Sequence, residues 1–296
     1  MRSIHLLWRP LLLCLFVSFV VLSCQKNDKP PTSSAQTQTE TLLMNATNDV
    51  VQAGSLESQD VSDIVDPDSA YSCRTITYEP SQNVYPHKKI VDFGSGCTGP
   101  DGITRKGKKI ITFYANPDSA SAGTMFSETS FDNYYEDSIN VTGTVQSYIQ
   151  TTANPGPMII KDVANKGLLS SNGDSKTFTA TTYFKLIEGA NTTTHMDNVY
   201  QITGSAQGNE TLDGATAIQW KSSIDELDPV IKPADCIWRT KGSIDVSLHI
   251  VTGGGANFTE VLNYGSGDCD NKATLSINGG TPQDITLPLE FWPLSL

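Results

Sequence analysis

Apolar and polar residues alternate along several stretches of the chain. The clearest run covers residues 244–250, and a shorter one covers residues 273–277. Successive side chains of a β-strand point to opposite faces, so this period of two places one face on a core and the other in water. Clusters of Gly, Asn, Asp and Pro between the runs, as at residues 253–255, are typical of hairpin turns. The pattern predicts an all-β, mainly antiparallel fold of about a dozen strands, arranged as a sandwich or a large curved meander.

The first 23 residues show the order of an export signal. Arg2 and Arg9 precede an apolar run over residues 11–22, which is well short of the roughly 20 residues of a transmembrane helix. Cys24 follows this run, and the junction resembles the lipobox of bacterial lipoproteins. The resemblance implies cleavage before Cys24 and lipid on its thiol. The alternative is an ordinary secretory signal cut elsewhere, with Cys24 as an unmodified thiol.

The composition changes again after Cys24. Residues 24–69 are rich in Ser, Thr, Gln, Asn and Asp and contain no aromatic residue, so they are predicted to form a flexible polar tether. Residues 70–296 carry the alternating runs and form the predicted β-rich domain, which either is one unit or has two similar halves.

The charge argues against one class of partner. Loss of residues 1–23 leaves 18 basic and 32 acidic residues, a net charge of −14. Nucleic acids bind proteins largely through Lys and Arg on phosphates, so a nucleic-acid partner is not expected. The one basic cluster, residues 105–109, is interpreted as a polar turn before a strand at residues 110–113.

The remaining cysteines predict two disulfides. Four thiols outside the cytoplasm allow three connectivities. Two residues that face each other across a hairpin have the turn at their midpoint, and two of the possible pairs have midpoints at Tyr85-Pro86 and beside Gly253. Local pairing is therefore predicted, at about 3 kcal/mol per bridge. Metal-binding thiols are disfavoured because the chain has no C-x-x-C motif. The predicted bridges are Cys73–Cys97 and Cys236–Cys269.

The same cysteines mark an internal repeat. Each copy has a cysteine followed by a strand, a turn, a second strand that ends in Asp or Asn, an aromatic residue and Gly-Ser-Gly, and then another cysteine. The two copies end at residues 92–97 and 263–269. This predicts a duplicated hairpin near the two ends of the folded region, either as equivalent edges of one sheet or as caps on two subdomains.

These motifs resemble those of uncharacterised lipoproteins that are common in the Bacteroidetes phylum. The resemblance covers most of residues 73–287 and is strongest at 92–102, 131–135 and 265–273. It implies a place in the cell envelope of a diderm bacterium but supplies no activity. Gln25 follows the lipidated cysteine, where Asp is the familiar inner-membrane retention signal, so the outer membrane is favoured.

Catalytic and metal motifs are weak. Only His87, His195 and His249 remain in the exported chain, and none has zinc-protease spacing. Neither Gly-Ser-Gly has the order of a nucleophile elbow. An enzyme is therefore disfavoured, with a glycan hydrolase built on paired carboxylates left as an alternative. The acids around Asp92, Asp101 and residues 268–271 are interpreted as turn residues and not as a calcium loop, and no cofactor is predicted.

Three Asp-Ser-apolar tripeptides look like the O-glycosylation motif of Bacteroidetes envelope proteins. Their serines are Ser69, Ser119 and Ser138. A few such matches are expected by chance in a chain rich in Asp and Ser. They are nevertheless the positions where a glycan is expected if one is attached.

Two functions remain open. One is a binding module for a glycan or an envelope protein, and the other is a structural lipoprotein that assembles through its sheet. A row of exposed aromatic residues would favour sugar binding, and an uncovered edge strand would favour assembly. The candidates for such a surface, which are core residues in the alternative interpretation, are Tyr134, Tyr135, Tyr148, Trp220, Trp238 and Trp292.

Overall fold

The computed structural model describes residues 73–82, 84–99, 103–152, 158–170, 173–192, 197–212, 215–236, 238–251 and 255–287. Within these ranges the chain forms fifteen strands and no helix. The strands are β1 (Thr75–Glu79), β2 (His87–Asp92), β3 (Cys97–Thr98), β4 (Thr104–Phe113), β5 (Met125–Glu136), β6 (Ile139–Thr151), β7 (Ile159–Leu169), β8 (Ser175–Glu188), β9 (Val199–Leu212), β10 (Ala215–Ile224), β11 (Val230–Pro233), β12 (Lys241–Ile250), β13 (Ala256–Ser266), β14 (Lys272–Ile277) and β15 (Gln283–Thr286).

The strands form one antiparallel sheet in nearly sequential order. Two short strands leave this path: β3 pairs only with β4, and β11 lies beside β9 and β12. Each remaining strand pairs with the one before it along the path, which is the order of a meander. The all-β, mainly antiparallel prediction is confirmed.

The register keeps one parity of side chains buried across the sheet. On β8, Phe178 and Phe184 are buried while Thr177 and Thr179 are exposed. Phe184 pairs with Ile160 on one side and Ile202 on the other, and both are buried. A slip of one residue would exchange the two faces, so burial of this parity specifies the register. We call these the buried face and the outer face.

The basic cluster at residues 105–109 corrects the sequence interpretation. It belongs to β4 and is not a turn before the strand. Gly107 has a φ of 80°, and the pairing of β4 with β5 shifts beside it. A Cβ at Gly107 would lie 1.9 Å from the carbonyl oxygen of Asn133, so only glycine fits this bulge. Arg105 is buried beyond the bulge, with its Nε 3.6 Å from Glu136.

Candidate functional site

Both predicted disulfides are present. The Cα atoms of Cys73 and Cys97 lie 5.5 Å apart, and those of Cys236 and Cys269 lie 5.8 Å apart. The midpoint argument holds well for the second pair, because the β12–β13 register places Ser243 opposite Asn263 and centres the hairpin on residue 253. It is less accurate for the first pair. There Thr75 lies opposite Asp92, and Cys97 reaches its partner only after a further turn.

The two copies of the internal repeat form the same local turn. The Asp92 carboxylate accepts a hydrogen bond from the Gly94 amide at 2.8 Å, and the Asn263 side chain accepts one from the Gly265 amide at the same distance. Glycine has positive φ at both positions, as such turns require. The turns lie towards opposite ends of one sheet, so the repeat does not cap two separate sheets in the described part of the chain.

Two acidic residues of these turns contact nearby groups of the same turns or strands. Asp92 lies 3.3 Å from Lys108, and Asp270 accepts a hydrogen bond from the Lys272 amide at 2.9 Å. The hydrogen bond from Gly94 is the main cause of a lowered pKa for the Asp92 carboxyl, and the contact with Lys108 acts in the same direction. In the described ranges, no group of three or more His, Cys, Asp or Glu residues is placed to hold a metal ion.

The other candidate residues are scattered. Ser119 and Ser138 are exposed, the first beside a turn at Asn116 and the second in the two-residue turn between β5 and β6. Among the aromatic candidates, Tyr134 and Trp220 are buried and do not form a surface. Tyr135, Tyr148 and Trp238 are half-buried. Cys24, Ser69, Asp101, His195 and Trp292, with the signal and tether segments, lie outside the described residues.

Trp220 belongs to the core because the neighbouring strand makes room for it. It lies opposite Gly208 on β9, and a Cβ at Gly208 would lie 2.6 Å from the indole ring. The Trp220 ring also lies 6.0 Å from the ring of Phe178, measured between centroids. Close approach to a glycine backbone is one of the few reasons for glycine inside a strand. The indole therefore supports the sheet from its buried face.

A depression on the outer face is the candidate site in the described residues. It consists of two adjoining cavities of about 750 Å³ and 870 Å³ over strands β6 to β13. Five exposed side chains line both cavities, so the two form one polar groove. We call these five residues the central row: Asn165, Thr179, Gln207, Lys221 and Ser247.

The central row follows directly from the register. Each member is the pairing partner of the next, from β7 through β8, β9 and β10 to β12. Neighbouring strands lie about 4.8 Å apart, so the row extends about 19 Å across the sheet. The row is therefore perpendicular to the strands, and a ligand in it would contact five strands.

Flanking rows extend this polar surface. Their hydroxyl, amide and imidazole groups both donate and accept hydrogen bonds, and the carboxylate of Asp245 accepts them. His249 is held by Asn257, with 2.9 Å between Nδ1 and Oδ1. The flanking polar residues are Gln146, Thr181, Ser205, Ser223 and Asp245 on one side, and Thr177, Asn209, Gln219, His249 and Asn257 on the other.

Aromatic side chains border one margin of the groove. Tyr148 and Tyr183 are half-buried on the outer face and flank Lys161, their pairing partner on β7. The Tyr148 hydroxyl donates to Oε1 of Gln146 at 2.9 Å, and Nε2 of Gln146 donates to Glu128 at 2.8 Å. These two hydrogen bonds fix the orientation of an amide that faces the groove.

The sequence contains a compositional signal for this groove that belongs to none of its motifs. On β8 and β9, the outer parity consists largely of Thr, Ser, Asn and Gln. Such side chains alone indicate only a solvated face. The depression depends on the shape of the sheet, which alternation does not specify.

Comparisons with known proteins add no relative. No protein-family model, no curated protein and no solved structure matches this chain. In the part of the chain that the structure describes, no helix is long and apolar enough to cross a membrane.

Proposed function

We propose that this protein is a binding module, exported and anchored through Cys24, that holds a glycan in the polar groove of its outer face. The central row is the observation that carries the proposal. Its exposed amide, hydroxyl and ammonium groups repeat at about the strand spacing of 4.8 Å over five strands. A hydroxyl-rich polymer that lies across the strands can exchange hydrogen bonds with each of them.

The chemistry of the groove favours a glycan over a protein. The centres of protein interfaces are rich in aromatic residues, Met and Arg, and they bury apolar anchors. In the groove, the exposed-parity side chains are almost all neutral and polar, with Val163 as an apolar exception. A protein partner would have to desolvate these groups without the apolar anchor that the centre of a protein interface usually supplies.

The two disulfides support an oxidising location. Both form between cysteines that the cytoplasm would keep reduced, and such bridges persist outside it. This agrees with the export signal and with the proposed lipid on Cys24. A tethered module outside the cytoplasm would meet the glycans of the envelope or of the surroundings.

Filling the groove tests the proposal. Thr179→Trp places an indole in the central row, while Thr77→Trp adds the same group to exposed strand β1, away from the groove. We expect Thr179→Trp to weaken glycan binding at least about tenfold, the factor that corresponds to 1.4 kcal/mol. Thr77→Trp should bind like the wild type. Binding is measured by calorimetry after a glycan-array screen of the wild-type domain.

Two results would overturn the proposal. One is glycan binding by Thr179→Trp that equals or exceeds that of the wild type. The other has two parts. The wild-type domain binds no glycan in the screen but captures a single envelope protein, and Thr77→Trp abolishes this capture. The second result would favour assembly through the edge strand β1.

A further inference from the structure

We propose that the glycan is acidic and that Lys221 binds one of its carboxylate or sulfate groups. This inference rests on the proposed function and names the ligand class. Lys221 is the charged member of the central row and lines both cavities of the groove. Its ammonium group therefore lies where a ligand that spans the groove must pass.

Three other lysines of the outer face make contacts that Lys221 lacks. Lys106 lies 3.9 Å from the centre of the Tyr135 ring, Lys108 lies 3.3 Å from Asp92, and Lys272 donates to Thr286. In the described residues, the Lys221 ammonium makes no ion pair and no hydrogen bond with the protein. Its pairing partners are Gln207 and Ser247, which are neutral.

Asp245 is the acidic residue nearest to Lys221 in the register. It pairs with Ser223, two residues along β10 from Lys221, so the two charges are diagonal neighbours. They do not form an ion pair within 4 Å, and both side chains are exposed. A ligand can therefore contact the ammonium without first breaking a salt bridge.

The overall charge of the chain does not prevent this contact. The net charge of −12 disfavours a polyanion at long range. The Debye length is about 8 Å at physiological ionic strength, so acids elsewhere on the surface are largely screened. At contact distance the local charges decide, and those on the groove are Lys221 and Asp245. We therefore expect a contact at Lys221 that neutral glycans do not make.

The experiment compares one polymer with and without its charge. Polygalacturonate and its fully methyl-esterified form share a backbone, and binding of each is measured by calorimetry at two salt concentrations. The wild type should prefer the acidic form, and added salt should weaken only that binding. Lys221→Gln should lower affinity for the acidic form by about fivefold, the upper range for an exposed ion pair, and leave affinity for the ester unchanged.

Two matched variants complete the test. Lys88→Gln removes the same charge from the outer face of β2, outside the groove, and should bind both polymers like the wild type. Asp245→Asn removes the neighbouring negative charge and should raise affinity for the acidic form alone. If the wild type binds both forms with equal affinity and Thr179→Trp weakens both, the acidic-ligand proposal is overturned. The proposed function is then retained. Absence of binding to the acidic form, with glycan binding in the array screen, would likewise overturn the acidic-ligand proposal alone, whereas absence of binding in both experiments would overturn the two proposals together.

Discussion

The two disulfide-linked turns near the ends of the sheet share a sequence pattern but differ in their cores. In the amino-terminal clasp, which contains Cys73–Cys97, Phe93 packs in an apolar cluster with Ile76 against it. In the carboxy-terminal clasp, which contains Cys236–Cys269, Tyr264 takes the place of Phe93. Arg239 stands at the position of Ile76, three residues after the first cysteine of the copy.

This difference changes the core around the aromatic ring. Tyr264 and Arg239 are both buried, and burial raises the pKa of the Tyr264 hydroxyl while the charge of Arg239 opposes that rise. The Arg239 guanidinium also lies 5.9 Å from the centre of the Tyr264 ring. In the other clasp, the Phe93 ring lies 5.7 Å from Tyr134 and needs no polar partner. The same backbone motif therefore accepts either an apolar pair or a buried cation with an aromatic hydroxyl.

Removal of the disulfides should have the largest effect and should not distinguish the clasps. The cysteines are separated by 24 and 33 residues, and loop closure predicts about 3.5 and 3.8 kcal/mol of stabilisation at these lengths. Double Cys→Ala variants of each pair should lose similar amounts in urea denaturation. A difference above about 2 kcal/mol would show that packing around the bridge contributes more than loop closure.

The Tyr264–Arg239 pair should produce the next largest effect, and only in the carboxy-terminal clasp. Tyr264→Leu removes the ring that faces a buried guanidinium and should cost about 2 kcal/mol of unfolding free energy. Arg239→Met should also destabilise, because it removes the cation that faces this ring. The double variant makes this pair apolar, as in the other clasp, and should be more stable than the sum of the single effects predicts.

A double-mutant cycle in urea measures this coupling. Phe93→Tyr is the matched control, because it adds a buried hydroxyl to the amino-terminal clasp, where Ile76 stands in place of an arginine. This variant should be destabilised. Additive effects in the carboxy-terminal clasp would contradict a direct Tyr264–Arg239 interaction.

The smallest effect should depend on pH and arises from Lys232. Its Nζ donates to the carbonyl oxygens of Pro233 and Cys236 beside the carboxy-terminal disulfide. Burial, and secondarily the charge of Arg239, lower the pKa of Lys232 to about 8, while Asp235 opposes the shift. Below pH 8 the lysine is protonated in both states. Between pH 8 and the unfolded value near 10.5 only the unfolded state retains the proton, so stability should rise with pH.

Urea denaturation between pH 7.5 and 9.5 tests this expectation. This range avoids ionisation of Tyr264, whose pKa is raised by burial. The unfolding free energy of the wild type should rise across this range, and that of Lys232→Met should not show this rise. The variant should therefore become less stable relative to the wild type as the pH increases. Parallel pH profiles for the two proteins would contradict the role of Lys232. The amino-terminal clasp has no lysine in the corresponding turn, so its variants should keep the wild-type profile.

The sequence alone determined the strands, the fold class and the disulfide pairs of this protein. Period-two alternation at residues 244–250 is a local property of the sequence. The positions of one parity are buried and therefore apolar, so the strand can be recognised from the sequence alone. The cysteine pairs were predictable because a hairpin relates its two strands by simple arithmetic around a turn. That arithmetic was least accurate for Cys97, where an additional turn intervenes.

Only the tertiary structure decided which polar residues act together. Asn165 and Ser247 are more than eighty residues apart, and nothing local places them on one row. The register of four successive strand pairs brings them together, and the shape of the sheet turns that row into a groove. The partnership of Arg239 with Tyr264 has the same origin. Long-range pairing sets such contacts, and side-chain periodicity carries no information about them.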